Sequence, residues 1–298
     1  MSRFVNIGQK GGGNYLPENA TWAKQTIAHN TLVQDGISHF GGLYEVGSQH
    51  HSDLRFFDAS NDDVQVVSAS EINAYPDTEM VRTMAMIKDK EFKKAFVLDL
   101  FKVASQEKHE YDLPFYYFGQ ILDTNFDFTT PNTLKPLGDE NGYQHLYLEA
   151  TGESNNSHNQ FSWIDRNKFY TLTTAAEQDD EILLARIGAN DPSFNLRKDP
   201  AIIIRRPDVK ETVFVSVVEP HGNYNPVSES ATNSNSNISE LTVLEDNKNY
   251  TVVSIKTVQG STRLFILSNQ DTELSTTHEV EVNGKSVTWT GPYYYSNM

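Results

Sequence analysis

Three groups of residues carry side chains that chemistry can use. The first surrounds His29, in IAHNT (27–31), just ahead of the apolar pair Leu32-Val33. An imidazole ligates zinc or a related metal when carboxylates or further imidazoles converge on the same ion. Asp35, His39, His50, His51, Asp53 and Asp58 follow along the chain with suitable donor atoms. Spacing alone does not assemble them. Adjacent histidines in a polar loop such as HHSD (50–53) sit equally well in water, and a single histidine at a strand entrance is satisfied by one hydrogen bond. The second group is Arg3 and Tyr15, which flank GQKGGGN (8–14). Glycines permit close backbone approach and positive φ. An arginine there can hold a carboxylate through two parallel hydrogen bonds, and a tyrosine can bind a sugar hydroxyl or pass a proton. Without partners the same residues form a loose terminus and a turn. The third group is aromatic: KHEYDLPFYY (108–117) reads as a strand with one aromatic face in a core, and His221 in VEPHGNYN (218–225) reads as a turn residue. The sequence holds no phosphate-binding P-loop, dinucleotide-binding glycine pattern, HExxH metal helix or G-x-S-x-G elbow.

The elements that must position these residues are strands. Strand-like runs recur at 31–35, 63–69, 81–87, 95–103, 112–122, 145–150, 169–174, 181–187, 201–206 and 212–218, and several of them alternate apolar and polar residues. Alternation of apolar and polar residues marks half-buried strands, and KPLGDENG (135–142) and RRPD (205–208) punctuate them. The pattern predicts an all-β chain: a large antiparallel β-sandwich over 1–221, then a smaller C-terminal β-domain over 240–298. Between them GNYNPVSESATNSNSNIS (222–239) is rich in Ser and Asn and reads as a linker or long surface loop. In HEVEVNGKSVTW (278–289), Asn283-Gly284 is the preferred pair for a two-residue hairpin turn.

Composition narrows the classes of function. The 298 residues are 38% hydrophobic and lack cysteine, which excludes disulfides and thiolate metal sites. The formal net charge of −16 argues against a nucleic-acid partner, which needs a basic face. Any polyanion must be met in a local basic pocket. No apolar run is long enough to span a membrane, and MSRFVNIGQK lacks the apolar stretch of an export signal.

Taken in order, several strings resemble one family. RFVNIGQKGGGNYLPENATWAKQTIAHNTLVQDGISHFGG (3–42) is similar to the start of the β-sheet domain of polysaccharide lyase family 17, the oligoalginate lyases of the heparinase II/III-like superfamily. HNTLVQDG (29–36) matches the hallmark strand of that superfamily. Residues 73–84, 108–120, 186–205 and 214–225 continue the likeness up to the Ser/Asn stretch. The resemblance implies a lyase in two parts, an α/α toroid followed by a β-sheet domain, with the site between them. Its chemistry is β-elimination on a uronate such as alginate: a base takes the C5 proton, the C4 oxygen leaves, and an unsaturated uronate remains.

By this resemblance Arg3 and Tyr15 contact substrate, and His29 is the last of three ligands of a structural zinc. The first two zinc ligands, in a His-Gly-His strand and an Asp-Tyr-Gly turn, match positions ahead of Met1. So do the toroid and its catalytic Tyr, Asn and His. The expectation is therefore the back half of a longer enzyme. It would carry no catalytic residue of its own, would be inactive without its toroid partner, and would expose a sheet edge. The family is exported, so the periplasm or the exterior is the implied compartment. Two rivals remain open: a stand-alone carbohydrate-binding or structural sandwich, and a surviving lyase in which Tyr15 or Tyr75 replaces the absent tyrosine.

Overall fold

The computed structural model describes residues 16–154, 157–188 and 196–297. In its longest strands, period-two alternation becomes architecture. β1 (Val33–Gln34), β2 (Asp53–Asp58), β3 (Val64–Glu71) and β4 (Thr78–Ile87) lead into β5 (Phe96–Tyr116). β6 (Gln120–Thr124), β7 (Phe128–Thr129), β8 (Leu146–Glu153), β9 (His158–Asp165), β10 (Lys168–Ala175) and β11 (Glu181–Ile187) precede β12 (Pro200–Asn225). β5 turns Phe101, Val103, Tyr111, Leu113 and Phe115 into one core and Phe96, Leu98 and Leu100 into another. Neighbouring strand residues point to opposite faces, so a long strand can serve two cores.

β5 and β12 each belong to two layers. Their lower halves pair with each other between β4 and β10, in the order β2-β3-β4-β5-β12-β10-β9-β6. Their other halves form a second layer in which β1 pairs with β5, β11 with β12, β8 with β11 and β7 with β8. The crossing between layers is a bulged corner, where the β5–β12 register shifts between Arg206, Val209 and Glu211 and Asp208 takes φ +57°. Bulges let a strand bend from one sheet into another. RRPD is thus a corner inside a continuous strand and does not end it.

The corner is clamped by a buried ion pair. Arg206 Nε and Nη2 donate to the two Asp180 carboxylate oxygens at 2.7 and 2.8 Å. Its Nη1 donates to Thr212 Oγ1 at 2.5 Å and to the Val213 carbonyl at 3.1 Å. The two limbs of β12 are therefore tied across their own bend.

After β13 (Ser230–Thr232) come β14 (Ile238–Asp246), β15 (Tyr250–Thr257), β16 (Thr262–Ser268), β17 (Thr277–Val282), β18 (Lys285–Thr290) and β19 (Tyr293–Asn297). β14-β15-β16-β19 form a second sheet whose Leu241, Val253, Ile255 and Phe265 share a core with Leu98, Leu100, Val213, Val215 and Val217. The β17–β18 hairpin covers the opposite face through Val282 and Trp289. It turns at Asn283 (φ +51°) and Gly284 (φ +75°), the left-handed pair that the Asn-Gly string predicts. The all-β antiparallel class is as read from the sequence.

Residues 222–239, rich in Ser and Asn, are largely exposed but anchored at several points. β13 pairs back on the end of β12, Asn223 opposite Thr232. The buried Glu219 carboxylate then accepts Ser236 Oγ at 2.6 Å, the Asn237 amide at 3.0 Å and Asn237 Nδ2 at 2.5 Å. His221 is a buried strand residue. Its Nδ1–H donates to the Asn233 carbonyl at 2.7 Å, Nε2 meets Thr171 Oγ1 at 3.0 Å, and the ring stacks on Phe169. The sequence reading of it as a turn residue is thereby corrected. Among the described residues no helix is long and apolar enough to cross a membrane.

Candidate functional site

The string HNTLVQDG runs along the open side of the second layer, fixed residue by residue. Asn30 Oδ1 accepts the Tyr116 amide at 2.9 Å, and the Asn30 carbonyl accepts Arg82 Nη1 at 2.6 Å. The Tyr116 hydroxyl donates to the Ile27 carbonyl. The Gln34 amide donates to the Tyr75 hydroxyl at 3.1 Å, and that hydroxyl donates to the Ile37 carbonyl at 2.7 Å. Tyr75 is thereby occupied in holding backbone, and burial drives its hydroxyl far above the ordinary tyrosine range. Asp35, at φ +50°, accepts the Glu110 amide at 3.0 Å, and its Oδ2 lies 2.6 Å from His109 Nδ1.

His29 Nε2–H donates to the Ala23 carbonyl at 3.0 Å, which places the proton on Nε2. Burial pulls its pKa down, so the neutral, ligand-competent imidazole is favoured. A second-sphere carbonyl of this kind orients a metal-binding histidine. The further candidate ligands do not converge on it. His39 is likewise kept neutral by burial, and its Nε2 is held by the Leu32 carbonyl at 2.9 Å. His50 stacks on Phe40 with ring centres 5.1 Å apart. His51 and Asp53 are exposed, 3.8 Å apart. Asp58 takes the Tyr293 hydroxyl from the C-terminal sheet at 2.9 Å. Among the described residues no three His, Asp or Glu groups are placed to share a metal ion. The described residues therefore do not assemble a metal site around His29. Arg3 and Tyr15 lie outside the described residues.

The inner face of the first layer continues past the end of the second and leaves a trough of about 660 Å³. Its floor is Met84, Met86, Val97, Val218 and Tyr170, and Phe115 and Asn30 form the wall on the second-layer side. At one end Arg82 is locked to Asp99 by two hydrogen bonds of 3.0 and 2.6 Å. Lys94 and Lys168 stand on the rim. Sequence reading missed this trough, because its residues come from four strands and two loops. Its one sequence signal was the even-numbered pair Met84 and Met86, which share Met80's face of β4 yet carry no compensating polar pattern.

Comparison with known proteins fits this architecture. The family model for the heparinase II/III-like C-terminal domain matches residues 3–252. An alginate lyase of Stenotrophomonas maltophilia is 37% identical over 98% of this chain and 39% of its own length. An exo-oligoalginate lyase of Saccharophagus degradans is 38% identical over 97% of this chain and 40% of its own. The chain thus spans about two fifths of the length of these curated relatives. Among solved structures a heparinase III gene product superposes with a TM-score of 0.54 at 10% identity, covering 86% of this chain and 32% of its own. That likeness speaks for the fold alone.

Proposed function

Since the chain belongs to the heparinase II/III-like C-terminal family, we propose that it is the β-sheet half of a uronate polysaccharide lyase acting on alginate by β-elimination. The observation that carries this reading is the 37% and 38% identity, sustained along nearly the whole chain, to relatives named as alginate lyases. Three of the described tyrosines near the HNTLVQDG strand support a division of labour. The hydroxyls of Tyr75, Tyr116 and Tyr143 are bound to Ile37, Ile27 and Asp112, and burial raises all three far from a proton-transfer range. In this reading the β-sheet half supplies binding and shape, and an α/α toroid partner supplies the acid–base pair.

Arg3 and Tyr15 then contribute uronate contacts, and His29 contributes one ligand to a structural zinc. Zinc here would stiffen the strand and takes no part in the elimination. Export to the periplasm or the exterior belongs to the same reading, by resemblance.

The test is the ultraviolet absorbance of the new C4=C5 double bond. The chain is incubated with alginate oligosaccharides, with and without zinc, alone and with the N-terminal half of the Saccharophagus relative. Product only in the presence of the added half is the expected result. Saturable turnover by the chain alone would overturn the division of labour. Oligosaccharide binding without product in either mixture would favour a carbohydrate-binding sandwich.

A further inference from the structure

The trough at the mouth of the sandwich has a charge imbalance that nothing described resolves. Its acidic lining residue, Asp99, is consumed by Arg82. Lys94 and Lys168 remain, and neither forms an ion pair or side-chain hydrogen bond with any described residue. Asp165 stands opposite Lys168 across the β9–β10 turn but makes no ion pair with it. Lys94 is partly desolvated and then repelled by Lys168, and both effects lower its pKa. Both cations line one trough whose floor is largely apolar, in a chain of net charge −16.

The floor is also exposed in an unusual way. Met80, Met84 and Met86 lie on one face of β4, yet Met80 is 3% exposed while Met84 and Met86 are 37% and 43% exposed. Tyr170 continues this surface from the far side and stacks on Trp163 with ring centres 5.4 Å apart. Anionic sugars present two chemistries at once: a carboxylate for cations and an apolar ring face for aromatic or thioether surface.

We propose that this trough is a subsite for an oligouronate, with the Lys94 and Lys168 ammonium groups on a sugar carboxylate and a ring face on Tyr170, Met84 and Met86. The proposal rests on the uronate reading above for the identity of its ligand. The ligand brings the missing countercharge, and the lysines relieve each other's repulsion by sharing it.

Methionine supplies the readout, because the chain has five and two of them line the trough. The full chain, labelled at methionine methyl carbons, is titrated with an oligomannuronate, a neutral oligosaccharide of equal length and a sulfated one. Calorimetry runs in parallel on wild type, Lys94→Ala, Lys168→Ala and the surface control Lys285→Ala. The expected result is that oligomannuronate moves the Met84 and Met86 methyl signals and leaves Met80 in place. Each trough alanine should weaken binding about fivefold, the size of one partly screened charge-assisted hydrogen bond, and Lys285→Ala should not. Raising salt should weaken wild type more than Lys94→Ala.

Uronate heat with silent Met84 and Met86 and unchanged trough variants would overturn the subsite and leave the uronate reading standing. Shifts with the sulfated but not the uronate oligomer would keep an anion site and overturn the uronate reading. Equal shifts with the neutral oligomer would overturn the role of the lysines. Silence with all three would overturn the site itself.

Discussion

Arg206→Met tests whether the corner of β12 holds the two layers together. The Arg206 and Asp180 side chains are 3% and 0% exposed, so the pair is desolvated. Substitution by methionine keeps most of the side-chain volume but removes every donor. It strands the Asp180 carboxylate, whose remaining described partner is the Glu177 amide at 2.9 Å. It also leaves Thr212 Oγ1 and the Val213 carbonyl without their donor. Breaking a buried pair from one side costs about 3–5 kcal/mol, because the surviving charge stays buried. Folded domains are stable by only about 5–15 kcal/mol, so most of the margin is at stake. Urea unfolding followed by tryptophan fluorescence should show the midpoint falling by roughly 1–2 M at slopes near 3 kcal/mol per M. The Arg206→Met, Asp180→Leu double variant should recover much of the loss, since replacing both partners by apolar groups removes the stranded charge. A single-variant loss below about 1 kcal/mol, or a double variant that merely sums the two singles, would refute the clamp.

Asn30→Ala should cost about 1–3 kcal/mol by leaving the Tyr116 amide without its acceptor, and amide exchange at Tyr116 should rise well above that at Leu113. At Gly222 a Cβ would meet the Thr232 and Asn233 carbonyl oxygens at 2.0 and 2.1 Å. Gly222→Ala should therefore pull β13 off β12 at a cost above roughly 2 kcal/mol, seen as fast exchange at 230–232 with the β5–β12 core still protected. Asp89 gives a pH prediction. Burial pushes its pKa up, but the hydrogen bonds from Arg263, the Glu91 amide and Tyr295 outweigh it and hold the carboxyl below the ordinary aspartate range. A depressed folded-state pKa adds stability that is full above the unfolded value and lost as pH falls through the folded one. Protection of β16 and β19 should thus fall selectively as pH drops through the aspartate range, and Arg263→Met should diminish that pH dependence. A pH-independent β16 in wild type would remove Asp89 from the account.

The sheet architecture was legible because it is written locally. Short apolar runs rich in Val, Leu and Phe at 95–103 and 212–218 mark strands whatever their neighbours, and Asn283-Gly284 names its own turn. The corner was not legible. RRPD carries turn residues, yet Arg206 finds Asp180 through space and the strand continues. His221 failed for the same reason: its neighbours Pro220, Gly222 and Asn223 signal a turn, while Thr171 and Phe169 on β10 make it a strand residue. In the 222–239 stretch, composition reports only the lack of apolar side chains. That stretch is anchored by the β12–β13 pairing, by His221 on the Asn233 carbonyl and by hydrogen bonds to the buried Glu219 carboxylate, none of which a hydrophobic pattern can register.

The candidate site shows the same divide between local and assembled information. His29 was marked by its string, and the structure adds what a string cannot: a carbonyl that fixes its tautomer and a desolvated ring kept neutral. The residues near it in sequence, Asp35, His39, His50 and His51, each answer to a different partner, so closeness along the chain did not become a ligand set. The trough reverses the relation. Lys94, Lys168, Tyr170 and Met84 are scattered along the chain and meet only because β4, β5, β12 and β10 lie side by side. Chemistry legible as a motif depends on neighbours in sequence. Chemistry built on a sheet face depends on the order of strands, and an acidic chain can keep a cationic pocket that its composition conceals.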